Sequence, residues 1–425
     1  KAARLGAMDL ARRFIAGTNT KEVLQAARKQ RELRRGFTLD ILGEAVTSER
    51  EADGYFQAYC ELLESISPVV NDWPEVPQID QGASGPLPRM NLSIKLSALD
   101  AHFDAIDYEG TTKRVATRLR ELLRLAKSQG AFINVDMEQY EKKDLTLHIF
   151  KTVLSEPKFQ ATGDVGIVIQ CYLRDADKDL ADLCDWAQQR GHPVWVRLVK
   201  GAYWDYETIH AKYHDWPIPV YQQKWQSDAA FERASRFVMQ HHQHLRPAIG
   251  SHNIRSIAYA MAAAEHYEVP AAGFELQMLY GMADAEKKVF VDRGRRLRVY
   301  MPYGELIPGM AYLVRRLLEN TSNDSFLRMS FADDVPVEKL LRDPSEAATD
   351  KAEPLAAQEE GTDMVTKTEA SVATSFRNQP PVDFALEENR AAMQQALAEV
   401  RQQLWKYYPL VNGDEEVTTA ENIES

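Results

Sequence analysis

Four polar side chains in the run RVYMPYGELIPGMAYLVRRLLEN, Arg298 to Asn320, are spaced for chemistry. Tyr312, Arg315, Arg316 and Glu319 fall at i, i+3, i+4 and i+7, so one side of a helix carries all four, and Leu313, Val314, Leu317 and Leu318 supply an apolar side. Pro308 suits the first turn of such a helix. Two adjacent guanidiniums match a carboxylate or a phosphate. The competing reading is a solvated helix face with an internal Arg–Glu pair.

A second set of polar residues interrupts or closes short apolar runs. Lys95 interrupts LSIKLSAL, Asp136 and Glu138 close INVDME, and Gln170 closes GIVIQ. Arg197 and Lys200 fall in VWVRLVKGAYWD, His252 and Asn253 in AIGSHN, Glu275 and Gln277 in FELQML, and Tyr300 ends RVY. A buried charge must be paired or bonded to a ligand, because its desolvation is otherwise costly. One such residue fits a structural ion pair; a set of this size marks a site, since a structural core would use aliphatics there. Tyr203, Trp204, Tyr280, Tyr300, Tyr303 and Tyr312 add aromatic surface that suits a flat cofactor or an apolar ring better than a sugar phosphate, although core packing accounts for any single one.

Several chemistries lack their motifs. There is no GxSxG elbow, no Cys–His arrangement, no P-loop and no GxGxxG loop. Lys95 or Lys200, each near an aspartate at a strand end, would serve a Schiff-base lyase or aldolase, which is the alternative mechanism. No metal is expected: His241 and His244 in HHQH are one turn apart but lack a third ligand, and Cys60, Cys171 and Cys184 have no CxxC geometry.

These residues need a scaffold that brings strand ends together. Eight β-like runs alternate with helical patterns: Phe37–Leu42, Asn91–Ser97, Phe132–Met137, Val165–Gln170, Val194–Lys200, Pro247–Ser251, Phe274–Leu279 and Leu297–Met301. That rhythm predicts a (β/α)8 barrel, whose functional residues cluster where strands end. Capping-box spacing at Asn19–Glu22 and Ser48–Glu51 predicts helices before and within it, and a Pro- and Gly-rich loop is expected over Ser67 to Pro88. From Asp343 to Thr374 the composition becomes that of a linker. A helix with Met393, Leu397, Val400 and Leu404 on one stripe follows, then the opening of a β-rich unit.

Composition agrees with an enzyme. The 425 residues are 44% hydrophobic and 27% charged, enough to bury a full core, and no run of about 18 apolar residues predicts a membrane span. The net charge of −12 conceals a basic start: residues 1–36 hold ten Lys and Arg against three acidic residues. No nucleic-acid module accompanies that stretch, so it reads as a solvated helix face and no nucleic-acid partner is expected. A cytoplasmic setting follows, and the chain is expected to be a piece of a longer one.

RLVKGAYWD, SHN, FELQML and YMPYG…YLVRRLLEN, in this order, resemble the proline dehydrogenase domain of the bifunctional bacterial proline utilization A flavoenzymes, from about Arg35 to Phe331. The resemblance implies a distorted (β/α)8 TIM barrel binding FAD, with N-terminal helices and a C-terminal linker and helix extension. Its implied divisions are a helical arm (1–34), the barrel (35–335), a linker (336–380) and the start of an aldehyde dehydrogenase-like region (381–425). The implied reaction is oxidation of L-proline to Δ1-pyrroline-5-carboxylate, with hydride passing to flavin N5 and electrons to a membrane quinone. Implied partners are the downstream pyrroline-5-carboxylate dehydrogenase domain and a membrane surface touched peripherally.

The resemblance also implies roles. Arg315, Arg316 and Lys95 would hold the proline carboxylate; Tyr300, Tyr312 and Leu279 would wall its ring; Asp136 would orient a neighbour. On the cofactor side, Arg197 would lie beside flavin N5 and Gln170 at the isoalloxazine edge. Val199, Lys200, Gly201 and Ala202 would follow FAD, Trp204 would stack near the adenine, His252, Asn253 and Gln277 would line it, and Glu319 would reach the ribityl or pyrophosphate. The family commonly has threonines where this chain has Gln222 and Ser227; Lys224 and Ser227 still offer a cation and a hydroxyl to phosphate.

Overall fold

A computed structural model describes residues 13–43, 46–305, 309–321, 336–346, 378–406 and 409–417. Within 309–321, side chains are described at 310 and 312–316. The chain divides into two compact units, Lys1–Pro380 and Pro381–Ser425.

The first unit is built on a closed barrel of eight parallel strands: β1 Gly36–Ile41, β2 Met90–Ile94, β3 Ala131–Val135, β4 Val165–Gln170, β5 Val194–Val199, β6 Leu245–Gly250, β7 Glu275–Leu279 and β8 Leu297–Tyr303. Each pairs with its neighbours in sequence, and β1 closes the ring on β8 from Gly36 opposite Arg298 to Ile41 opposite Tyr303. The strands read as continuous apolar runs because both faces are covered, by side chains inside and helices outside. All eight expected runs are strands. The run at Asn91 stops early: after Ile94 the chain turns into a 3₁₀ turn, Leu96–Leu99, so Lys95 sits just past the strand end.

Helices α1 Thr20–Glu32 and α2 Glu49–Asn71 begin at the expected caps. Asn19 Oδ1 accepts from Glu22 N–H at 3.1 Å and Ser48 Oγ from Glu51 N–H at 3.4 Å. The reciprocal glutamates reach one residue further back than a capping box requires, to the N–H groups of Thr18 and Thr47. The loop expected from Ser67 starts later, because α2 runs through Pro68 to Asn71: Leu62, Leu63, Ile66 and Val70 are buried on one stripe, and that packing outweighs the hydrogen bond lost at proline.

The outer layer continues with α3 Tyr108–Gln129, α4 Tyr140–Leu154, α5 Ala176–Arg190, α6 Trp204–His214, α7 Lys224–Gln240, α8 Ile254–His266, α9 Asp284–Asp292 and α10 Met310–Thr321. Pro308 lies outside the described residues. Phe14 and Ile15 form a small apolar cluster with Leu42, Met282, Tyr312 and Leu313, which seats α10. Val314, read as part of the helix's apolar side, is exposed instead; among the described side chains of α10, Tyr312 and Leu313 are the ones that meet this cluster. Residues 341–343 are held to the outer layer by Arg255 of α8, which donates to Leu341 O at 2.7 Å and pairs with Glu232 and Asp343. Residues 347–374 of the expected linker lie outside the described residues. In the second unit, α11 Glu387–Gln403 carries Met393, Leu397 and Val400, and Leu410–Asn412 pairs antiparallel with Glu415–Val417. No helix among the described residues is long and apolar enough to cross a membrane.

Candidate active site

The strand ends surround a cavity of about 600 Å³, lined by residues from every barrel strand or the turn after it, and by Tyr312, Arg315 and Arg316 of α10. Of the twenty residues singled out for substrate and cofactor, eighteen line it. Ser227 is buried in the first turn of α7 outside the lining, and the side chain of Glu319 lies outside those described. Gln222 is also absent from the lining; its amide donates to Val220 O at 3.3 Å.

Asp136 is the node on one side. Its carboxylate accepts from Arg197 at 2.6 Å, from the Tyr300 hydroxyl at 2.7 Å and from the Asn134 amide at 3.1 Å. Arg197 is also bonded to Ser93 Oγ at 3.1 Å, and its guanidinium lies 5.3 Å from the centre of the Tyr300 ring. Burial, Asp136 and Asp40 hold the Tyr300 proton well beyond its usual range, so this hydroxyl is a fixed donor. Tyr300 is not at a strand end as the pattern suggested; β8 runs three residues further, and the ring stands on the inner wall.

Lys95 is held by a partner the sequence reading missed. Asp40 on β1 accepts from Lys95 Nζ at 2.6 Å, with both residues buried. Burial pulls the ammonium down, but Asp40 and Asp136 outweigh it and raise Lys95 well above its usual value. A Schiff-base lysine has to shed its proton, so this environment opposes that role for Lys95. Burial lowers Lys200 against the pull of Asp228, to which it is bonded, and Lys224 shares that carboxylate at 2.6 Å. The signal for Asp40 was present: it is a lone acid in the apolar run FTLDIL.

The remaining wall carries buried polar atoms with no protein partner: Gln170 Oε1, Gln277 Oε1, His252 Nδ1 and Arg197 Nε. His252 Nε2 accepts from Leu279 N–H at 2.9 Å, which places the ring proton on Nδ1. Burial, Lys287 and Arg316 push the imidazole down to about 3, so it stays neutral. Above the cavity, Arg315 lies 5.1 Å from the Tyr203 ring centre and Arg316 5.1 Å from that of Tyr312. At Gly201, φ is +138° and a Cβ would meet the Tyr172 ring at 2.4 Å, so only glycine lets this turn run along the cavity.

Two of the strand-end acids belong elsewhere. Glu138 accepts from Ser97 Oγ at 2.7 Å outside the lining. Glu275 is the first residue of β7, at the opposite end of the barrel from the cavity mouth, where Arg298 holds it at 2.8 and 3.0 Å. His241, weighed as a metal ligand, has Nδ1 2.9 Å from Phe237 O of its own helix.

Glu207 ties the cavity's rim to the outer layer. It follows Trp204 and Asp205, which line the cavity, and accepts from Tyr140 N–H at the start of α4 at 2.8 Å. Burial and Glu141 push its carboxyl up to about 7, from 4.5. A carboxyl raised in the folded state contributes stability that is complete below pH 4.5 and is lost as pH rises through 7. Glu207→Gln removes that loss, so the variant is expected to exceed the parent by about 3 kcal/mol at pH 8, with the gap closing below pH 5. Urea unfolding at the two pH values measures it; an equal difference at both would refute the assignment.

The profile of the family described as Proline dehydrogenase matches residues 23–329. The bifunctional protein PutA of Escherichia coli (strain K12) is 28% identical over 411 residues, 94% of this chain and 30% of that protein. Proline dehydrogenase 1 of Bacillus subtilis (strain 168) is 28% identical over 324 residues, 76% of this chain and 90% of that protein. Among solved structures, proline utilization A (PutA) from Bdellovibrio bacteriovorus, inactivated by N-propargylglycine, is similar with a TM-score of 0.89 at 43% identity, covering 99% of this chain and 42% of that one. The chain therefore spans 30% of the length of the Escherichia coli relative.

Proposed function

The chain belongs to the proline dehydrogenase family, and from that membership we propose that it oxidises L-proline to Δ1-pyrroline-5-carboxylate with FAD bound in the barrel mouth. The observation that carries the reading is one cavity with two unlike walls: a cation-rich roof, Arg315 and Arg316, and a side wall of buried, unpartnered amide and imidazole atoms. Gln170 Oε1, Gln277 Oε1 and His252 Nδ1 offer two acceptors and a donor to a flat heteroaromatic edge, which fits a flavin. Bound there, FAD would supply the hydride acceptor.

The chain's own residues would do the rest. Arg315 and Arg316 bind the substrate carboxylate, with Lys95 adding a third, permanently charged group. Tyr300, Tyr312 and Leu279 enclose an apolar five-membered ring, and Asp136 holds Tyr300 and Arg197 in place. Arg197 keeps a fixed positive charge in the water-poor interior, favouring an electron-rich cofactor state. Val199 to Ala202, Trp204, Lys224 and Asn253 carry the rest of the cofactor. Electrons leave to a quinone met at a membrane surface by peripheral contact. Residues 336–380 serve as a linker and 381–425 begin an aldehyde dehydrogenase-like region, a division supported by the bifunctional names of the relatives.

The test is the visible spectrum of the purified chain under nitrogen, before and after L-proline. The flavin band is expected to bleach. A yellow protein indifferent to proline would overturn the substrate, and a colourless one that FAD does not reconstitute would overturn the reading as a whole.

A further inference from the structure

Beneath the cavity, at the N-terminal ends of β7 and β8, lies a charge network that touches no part of the substrate side. Glu275, Arg296 and Arg298 are all buried. Glu275 accepts from Arg298 Nε at 2.8 Å and Nη2 at 3.0 Å, with Arg296 at 3.5 Å; Arg298 also donates to Phe37 O on β1 at 2.9 Å. The same Glu275 Oε1 accepts from Gln277 Nε2 at 2.6 Å. Gln277 stands two residues further along β7 on the same inner face, and it lines the cavity above.

A carboxylate between two arginines is ionised and can only accept, so it must face the NH₂ end of the Gln277 amide. The other end, Oε1, is thereby turned away from the floor; it is buried and has no protein partner. Resting on the flavin reading above, we infer that Glu275 is a positioning residue that fixes the Gln277 amide so that an acceptor, never a donor, faces the cofactor. The pyrimidine part of a flavin ring has a single N–H donor among several acceptors, so an oxygen held in this orientation selects that donor. An amide free to turn over would offer NH₂ there instead and lose the selection. The buried ion pair then serves as the rigid base for one hydrogen bond rather than as a source of stability, which such pairs often fail to provide.

The experiment is a double-mutant cycle on the full chain, stripped of flavin and titrated with FAD while flavin fluorescence is followed. Glu275→Gln and Gln277→Leu are each expected to weaken FAD binding about tenfold. The double variant is expected to bind within about twofold of Gln277→Leu alone, since Glu275 has nothing left to position. Unchanged binding in Glu275→Gln, or a Glu275→Gln loss that adds in full to that of Gln277→Leu, would overturn the role and leave the floor merely structural. Should Glu275→Gln not fold, Glu275→Leu with Arg298→Met replaces the pair by apolar groups and runs the same cycle. A parent chain that takes up no FAD would overturn the flavin reading and this role with it, an outcome distinct from normal uptake that is indifferent to Glu275.

Discussion

Arg315→Met and Arg316→Met are each expected to lower kcat/KM for L-proline by about 10³ while the protein stays yellow. Truncating one member of a buried, hydrogen-bonded charge pair costs about 2–5 kcal/mol, and a factor of 10³ lies inside that range. Each guanidinium is braced by an aromatic ring, Tyr203 under Arg315 and Tyr312 under Arg316, so little side-chain freedom is lost when a carboxylate binds. The carboxylate is present in both the ground and transition states, so the loss should fall mainly on KM. Arg316→Lys keeps the charge without the planar fork and should recover part of it. Steady-state kinetics with an artificial acceptor measures these effects, and normal turnover in both methionine variants would end the clamp assignment.

Asp136→Ala is expected to have the second largest effect, and on two quantities at once. Arg197 is buried and loses its carboxylate, an uncompensated charge that should reduce stability by about 3–5 kcal/mol. Tyr300 loses its acceptor at the same time, so the ring wall loosens and turnover falls. Tyr300→Ala, by contrast, should weaken proline binding through lost ring packing while flavin is retained. Urea unfolding of Asp136→Ala, followed by both protein and flavin signals, is the measurement. A loss below about 1 kcal/mol would mean that the Ser93 hydroxyl suffices for Arg197.

The barrel was legible because parallel strands covered on both faces must be written as apolar runs, and all eight were found. The site was legible for a related reason: Lys95, Asp136, Gln170 and Arg197 each break such a run, and desolvation makes that break expensive without a purpose. What could not be read was pairing. Asp40 and Lys95 are separated by 55 positions and meet only through the β1–β2 neighbourhood. Phe14 and Ile15, in a stretch read as a helical arm, are the floor on which Tyr312 and Leu313 rest, and nothing local announces it. Glu275 was misread rather than invisible. As the first residue of its strand it lies at the bottom of the barrel, below the cavity, and reaches the site only through Gln277.

The β1–β8 seam has a consequence for the way this protein is made. Gly36 meets Arg298 across it, and these are the opening and closing strands of the ring. At roughly 5–20 residues per second of synthesis, β1 waits some 15–50 s on the ribosome before its second neighbour exists. During that interval its outer edge is a row of unpaired N–H and C=O groups on the apolar run GFTLDI, the kind of template that recruits other strands. The finished ring has no such edge. Slower growth at low temperature lengthens the wait, while a holdase that shields residues 36–41 would remove the hazard without altering a single native contact.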